Sequence, residues 1–252
     1  MQLLEVRDLE KKFGGLKAIS DLNFSVTERI IFSVIGPNGA GKTTLFNLLT
    51  NIYKPSGGSI RFLGREITSL PPYKIAKMGI TRTFQNLQVF LNMTALENVM
   101  VGCHLHSSSG LIAAALRLPS VTREEKKVRE MARQALEFCN LQDIAHMPAS
   151  ALPYGTLKRL EIARALAAKP RLLLMDEPAA GLNDTETMEL CNLISRICES
   201  GITIILVEHN MSLVMEISHH VLVLNYGELL AQGSPYEIQH NSEVIAAYLG
   251  ED

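Results

Sequence analysis

The sequence predicts an α/β fold in which a mainly parallel sheet surrounds a phosphate-binding loop. A small antiparallel β subdomain lies beside it, and a helical subdomain is inserted between its two halves. Three observations predict this. The first is the stretch Gly36, Pro37, Asn38, Gly39, Ala40, Gly41, Lys42, Thr43 and Thr44, which has the spacing G-x-x-x-x-G-K-T. It follows the β-branched run Arg29–Ile35 and leads into a helical segment, Thr44–Leu49, and this strand–loop–helix order is the P-loop context. The second is a pair of unbroken apolar runs, Leu172–Met175 and Thr203–Val207, the pattern of parallel strands buried on both faces. The third is a change of texture after Gln85, where strand patterns give way to helical ones until about residue 165. One domain over 1–252 is expected, with 1–85 and 166–252 forming the P-loop NTPase core and β subdomain, and 86–165 the helical part.

Composition narrows the function classes. A chain of 252 residues with 47% hydrophobic and 20% charged residues can bury a substantial core. Its 24 Lys and Arg against 26 Asp and Glu leave a net charge of −2, so no basic excess points to nucleic acid as a partner. Apolar runs such as Leu111–Leu116 fall far short of the ~20 residues that span a bilayer. The first residues show no signal-peptide pattern, so the chain is expected in the cytosol. The four cysteines have no C-x-x-C spacing and read as reduced, buried thiols. His104, His106, His219 and His220 lack companions at metal-ligand spacing.

In chain order, residues 3–8, 22–26 and 59–63 read as strands of the antiparallel sheet. Phe13, beside Gly14 and Gly15 on an expected exposed loop, could offer a flat ring to a nucleobase, although taken alone it better suits a packed loop anchor. Ile80–Phe84 reads as a core strand ending at Gln85. Thr94 looks like a helix start, Ser107–Gly110 a break, and Thr122–Glu125 a capping box opening a charged helix to about Asn140. Asn183–Glu186 offers another cap, before a helix with Leu190, Cys191, Ile194, Ile197 and Cys198 on one face. Val221–Leu224 and Leu229–Gln232 form a hairpin about Tyr226-Gly227, and a short helix covers Ser242–Leu249.

The chemistry follows from residue type and place. Backbone N–H groups of a glycine loop at a helix N-terminus close around phosphate oxygens. Lys42, read as open to phosphate rather than packed, reaches the β- and γ-phosphates, and the Thr43 hydroxyl ligates Mg²⁺. Asp176, ending a neighbouring strand, is the Mg²⁺-side carboxylate. Glu177 faces another way and suits a general base for water attack, or a strand-end ion pair. Gln85 and His209 can touch the γ-phosphate or its water, and each also suits a satisfied polar residue.

The ordered set of Phe13, Gly36–Thr44, Gln85, Leu152-Pro-Tyr-Gly-Thr156, Leu172–Glu177, Gly181–Asp184 and His209 resembles the ATP-binding cassette (ABC) ATPases. In that family these are the A-loop, Walker A, Q-loop, signature, Walker B, D-loop and H-switch. Phe13-Gly-Gly-Leu16, Leu152–Gly155, Leu160–Leu166, Glu177–Leu182 and Ala247–Gly250 resemble in particular the branched-chain amino acid importer ATPases of the LivG type. The resemblance implies ATP and Mg²⁺ as ligands, with Gln85 beside the metal. It also implies two cassettes sandwiching two ATP molecules, with Gly155 and Asp184 near nucleotide and the helical insertion reporting ATP state to a membrane permease. A substrate-binding protein would be an indirect partner, and the chain would lie at the cytoplasmic face of the inner membrane. The sequence departs from the family in Pro153 and Tyr154, where Ser and Gly are usual, in Leu157, where Gln is usual, and in Glu28-Arg29, where Gly-Glu is usual. A lipopolysaccharide exporter or urea importer has a similar ATPase subunit. The 103–123 segment looks more like the LivG type. A small-molecule kinase or a soluble ABC machine would leave the motif set or the single short cassette unexplained.

Overall fold

The computed structural model describes residues 1–106 and 119–249, which fall into two compact units. The first comprises residues 1–82, 171–181 and 187 onward; the second comprises 83–170 and 182–186.

The first unit holds both sheets. Strands β1 (Gln2–Phe13) and β2 (Leu16–Thr27) pair antiparallel, β3 (Ile31–Ile35) leads into the P-loop, and β4 (Gly57–Phe62) and β5 (Arg65–Glu66) complete a four-stranded sheet in the order β2-β1-β4-β5. Along β2 the side chains alternate, Leu22, Phe24 and Val26 facing in, so one face is buried and one wet. The second sheet adds β6 (Ile80–Arg82), β7 (Leu172–Asp176), β8 (Thr203–Val207), β9 (His220–Asn225) and β10 (Glu228–Gly233), in the order β10-β9-β3-β8-β7-β6. Only the β9–β10 hairpin is antiparallel. Every residue of β3, β7 and β8 is buried, as unbroken apolar runs require. Each large apolar side chain among them contributes about 1.5–3 kcal/mol by burial.

Helix α1 (Lys42–Leu49) buries Leu45, Phe46, Leu48 and Leu49 in the core shared by the two sheets. Helix α2 (Pro72–Met78) starts on proline at its first position, where the missing N–H costs nothing.

The second unit is helical. Helix α3 (Ala95–Gly102) opens on a reciprocal capping box between Thr94 and Glu97. Helix α4 spans Pro119–Phe138, so the capping box read at Thr122 is corrected: Thr122 lies inside the helix. Met131, Ala132, Ala135 and Leu136 form the buried stripe of α4. Helix α5 (Tyr154–Ala167) packs with α3 and α4. The approach to α3 is close, since a Cβ on Gly102 would stand 2.0 Å from the Arg164 carbonyl oxygen. The break read at Ser107–Gly110 and most of the 103–123 segment lie outside the described residues.

Helix α6 (Asp184–Glu199) buries the face read from the sequence, with Leu193 added. Helices α7 (Met211–Ile217), α8 (Pro235–Gln239) and α9 (Ser242–Leu249) follow in the first unit. All four cysteines are buried, and none forms a disulfide. Burial pushes the Cys103 and Cys191 thiols up to about 11 and raises that of Cys198.

Candidate functional site

Sheet register sets the level at which the chemistry sits. Val34 on β3 and Asp176 on β7 both pair with Val207 on β8, the strand between them. The three strands are parallel, so their carboxyl ends lie together. Beyond Val34 comes Gly36, beyond Asp176 comes Glu177, and beyond Val207 come Glu208 and His209. In open α/β sheets this edge is where ligands bind.

The P-loop leaves β3 at Gly36, whose φ of 148° and close approach to β9 suit glycine alone: a Cβ would lie 2.1 Å from the Leu224 carbonyl oxygen. Gly41, with φ 106°, is the N-cap of α1, and a Cβ there would lie 2.8 Å from the Ala18 carbonyl oxygen. No side chain caps α1 and no acidic residue lies in its first turn, so its N–H groups present an unneutralised positive end. Asn38, Gly39 and Thr43 are exposed, Thr44 is half-buried, and Pro37 and Ala40 are buried. Lys42 differs from the sequence expectation. It is only 6% exposed, and its Nζ donates to the carbonyl oxygens of Gly36 (2.6 Å) and Pro37 (2.8 Å). The loop curls its own carbonyls toward the ammonium, which is therefore held within the loop.

Phe13 is also placed differently, at the end of β1 rather than on a loop. Its ring is 42% exposed and meets Tyr53 edge-on at 5.3 Å, with the Lys11 ammonium 4.8 Å from its centroid.

Asp176 is buried and paired. Its Oδ2 accepts from Arg82 Nη2 at 2.6 Å, while Arg82 Nη1 donates to Asn47 Oδ1 at 2.6 Å and the guanidinium covers the Phe46 ring at 5.3 Å. The strand ends there. Glu177 takes φ 47°, a left-handed conformation that costs a residue with a side chain about 1–2 kcal/mol. That turn swings its carboxylate to His209, with Oε1 3.1 Å from Nε2. The His209 side chain is 45% exposed and that of Glu177 17%, so the pair opens to solvent.

Glu208 was missed from the sequence. It is buried, and its carboxylate accepts from the Ala179 N–H at 2.8 Å and the His209 N–H at 3.1 Å, bridging the turn after β7 to the turn after β8. Burial pushes its carboxyl above the usual carboxylate range, against the pull of these N–H groups. The available signal was a charged residue directly after the apolar run Thr203–Val207.

Gln85, Gly155 and Asp184 belong to the helical unit. Gln85 does not end a core strand: β6 stops at Arg82, three residues earlier. The reason is hydrogen bonding, since the Phe84 N–H donates to Glu161 Oε1 at 3.2 Å instead of continuing the ladder. The Gln85 side chain is exposed. Gly155 lies in the first turn of α5 against Glu186, where a Cβ would stand 2.4 Å from Oε1. Glu186 is itself held by a reciprocal cap with Asn183, at 2.9 and 3.1 Å, which leaves Asp184 exposed in the first turn of α6. Among the described residues no group of three or more His, Cys, Asp or Glu converges on a metal position.

Comparison with known proteins agrees with this geometry. Residues 19–180 match the family model for ABC transporters, and 228–252 match one described as a branched-chain amino acid ATP-binding cassette transporter. The high-affinity branched-chain amino acid transport ATP-binding protein BraF of Pseudomonas aeruginosa is 48% identical over 250 residues, 99% of this chain and 98% of that protein. The corresponding LivG of Escherichia coli is 46% identical over the same shares. Among solved structures, a nucleotide-free ATP-binding cassette from an ABC transporter superposes with a TM-score of 0.87 at 31% identity, covering 100% of both chains. The ADP conformation of MJ1267, an ATP-binding cassette of an ABC transporter, gives the same values. A parallel sheet whose P-loop shares one edge with Asp176, Glu177 and His209, together with these likenesses, places the chain in the ABC transporter family as a nucleotide-binding cassette and ATPase.

Proposed function

We propose that the chain powers import of branched-chain amino acids, with Glu177 as the general base of ATP hydrolysis. The observation that carries the site is the common level of the Gly36 loop, Asp176 and Glu177 across β3, β8 and β7. The cargo reading rests on the relatives, BraF and LivG, and on the match at 228–252.

In this reading the α1 N-terminus and the loop N–H groups from Gly36 to Thr44 bind the phosphates, with Lys42 turning from the Gly36 and Pro37 carbonyls toward them. Phe13 stacks on the base. The donor set fits Mg²⁺, which uses one or two carboxylates together with substrate phosphates. Thr43 and Asp176 would hold it, with Gln85 beside it, and when bound it supplies positive charge to the phosphate oxygens. Glu177 accepts the proton of the attacking water, and His209, on its carboxylate, orients that carboxylate and the γ-phosphate side. Two cassettes pair so that Gly155 and Asp184 of one address nucleotide on the other. The permease docks at the cytoplasmic face of the inner membrane and receives cargo from a substrate-binding protein.

The test is Glu177→Gln. It nearly preserves size and hydrogen bonding, so ATP binding persists while turnover falls by roughly 10²–10⁴-fold. Size-exclusion chromatography with ATP then shows a dimer, because ligand that binds the closed state shifts the population toward it. Near-wild-type hydrolysis refutes the base. For the cargo, proteoliposomes carrying a branched-chain amino acid permease that assembles with this chain should take up leucine only with ATP and the wild-type cassette. Leucine uptake indifferent to ATP or to Glu177→Gln refutes the import reading.

A further inference from the structure

Of the four charged residues of helix α5, Lys158, Glu161 and Arg164 are spaced i, i+3, i+6 along one stripe. A helix packed by two neighbours normally fills such a stripe with apolar side chains. Here Lys158 is 2% exposed and Glu161 3%. Burying charge costs free energy unless hydrogen bonds return it, so the destination of these groups matters. All three turn to one backbone segment. Lys158 Nζ donates to the Gln85 carbonyl at 3.2 Å, Glu161 Oε1 accepts from the Phe84 N–H at 3.2 Å, and Arg164 Nη1 donates to the Gln88 carbonyl. Arg164 also lies 3.8 Å from Glu161 and covers the Phe90 ring at 5.9 Å. The far end of the segment is fixed by Asn98, whose side chain accepts from the Phe90 N–H at 2.8 Å and donates to the Phe90 carbonyl at 3.0 Å. Burial pushes the Glu161 carboxyl up, while the Phe84 N–H, Arg164 and Lys158 oppose the shift.

We propose that Lys158, Glu161 and Arg164 are positioning residues that clamp the main chain of 84–90 to α5, so that the Gln85 segment and the helix beginning at Tyr154 move as one piece. This rests on the reading above, in which Gln85 and Gly155 both serve the nucleotide. A free loop would let Gln85 respond to ATP alone. The clamp instead makes any displacement of α5 a displacement of the Gln85 backbone, through three hydrogen bonds to main-chain atoms that no substitution within 84–90 short of proline removes. The side chain of Gln85 is exposed.

Hydrogen exchange of the full chain without nucleotide, read on peptides covering 84–90, tests the clamp alongside steady-state ATP hydrolysis. Glu161→Ala and, independently, Lys158→Met should speed exchange there by about tenfold or more, as local opening does. Both should lower kcat by about tenfold with KM within about twofold, the pattern of lost positioning rather than lost binding. Glu161→Gln keeps an acceptor for the Phe84 N–H and should restore slow exchange and kcat. Leu160→Ala, in the same helix and fully buried, removes packing but none of the three hydrogen bonds, and should change both readouts less than either clamp variant. Unchanged exchange at 84–90 in both clamp variants would overturn the proposal, as would faster exchange with full kcat, or an equal loss of kcat in Leu160→Ala. Because the exchange measurement needs no nucleotide, a wild-type chain without ATP hydrolysis would count against the proposed function separately.

Discussion

The core sheet and the helical unit bury charge in opposite ways. In the sheet, the bodies of β3, β7 and β8 are almost wholly apolar and ionisable groups gather at one edge, where the strands stop. In the helical unit, charge runs through the middle of α5 and is answered by backbone. The difference separates two uses of a charged side chain. At the edge, Glu177 and His209 keep solvent access and can do chemistry; inside α5, Lys158 and Glu161 hold a neighbouring segment in place. Changes at the edge should therefore cost activity before stability, and changes in the stripe should alter local opening first.

Glu177→Gln is the strongest probe of that contrast, costing roughly 10²–10⁴ in turnover, with a melting temperature near wild type. Parallel loss of stability would erase the distinction. Asp176→Asn is the informative exception, because Asp176 is an edge residue that is also buried against Arg82. Leaving that guanidinium without its charge partner should cost about 3–5 kcal/mol, read by urea denaturation, as well as weakening Mg²⁺-dependent nucleotide binding. Glu208→Gln gives a smaller, pH-dependent effect. The folded-state value of Glu208 is raised, so its charged form opposes folding: the stability it contributes is complete below the ordinary carboxylate range and is lost as pH rises through the raised value. The melting temperature of Glu208→Gln minus that of wild type should therefore grow from acidic to neutral pH; a constant difference would mean the carboxylate is not penalised in place. Smallest is Arg29→Gly. Arg29 sits at φ 63°, where relief of about 1–2 kcal/mol of strain is partly cancelled by about 0.4–1 kcal/mol of extra unfolded-state entropy. A rise of no more than about 1.6 kcal/mol is expected by chemical denaturation.

The core was legible because its signals are local. An apolar run with a glycine loop after it can form little else, and the caps at Thr94 and Asn183 are written in four consecutive residues. A local rule could also mislead: Thr122–Glu125 matched a capping box, yet Thr122 lies inside the helix. Gln85 was placed on a strand because Thr83 and Phe84 favour one, whereas a side chain 77 positions away takes the Phe84 N–H. The Arg82–Asp176 pair spans 94 positions, and the Glu208 contact with Ala179 spans 29. No spacing rule links such residues. The orientation of Lys42 was likewise invisible, since it depends on where the loop carbonyls point. The α5 stripe did leave a trace, charges at the i, i+3, i+6 positions that a packed helix gives to leucine, and it was passed over.

The sulfur chemistry of the chain has a practical consequence. The thiolate is the species that attacks disulfides, alkylating reagents and peroxides. A thiol lifted to about 11, as for Cys103 and Cys191, is ionised to only roughly one part in 10⁴ at neutral pH. Cys139 and Cys198 are buried too. The cassette should thus be indifferent to oxidants that disable enzymes with exposed thiols, and its native cysteines should stay silent toward maleimides. A single cysteine introduced at exposed Gly39 or half-buried Thr156 would then be the one fast-reacting sulfur in the protein. Disulfide trapping between two chains could be read without first stripping the native four.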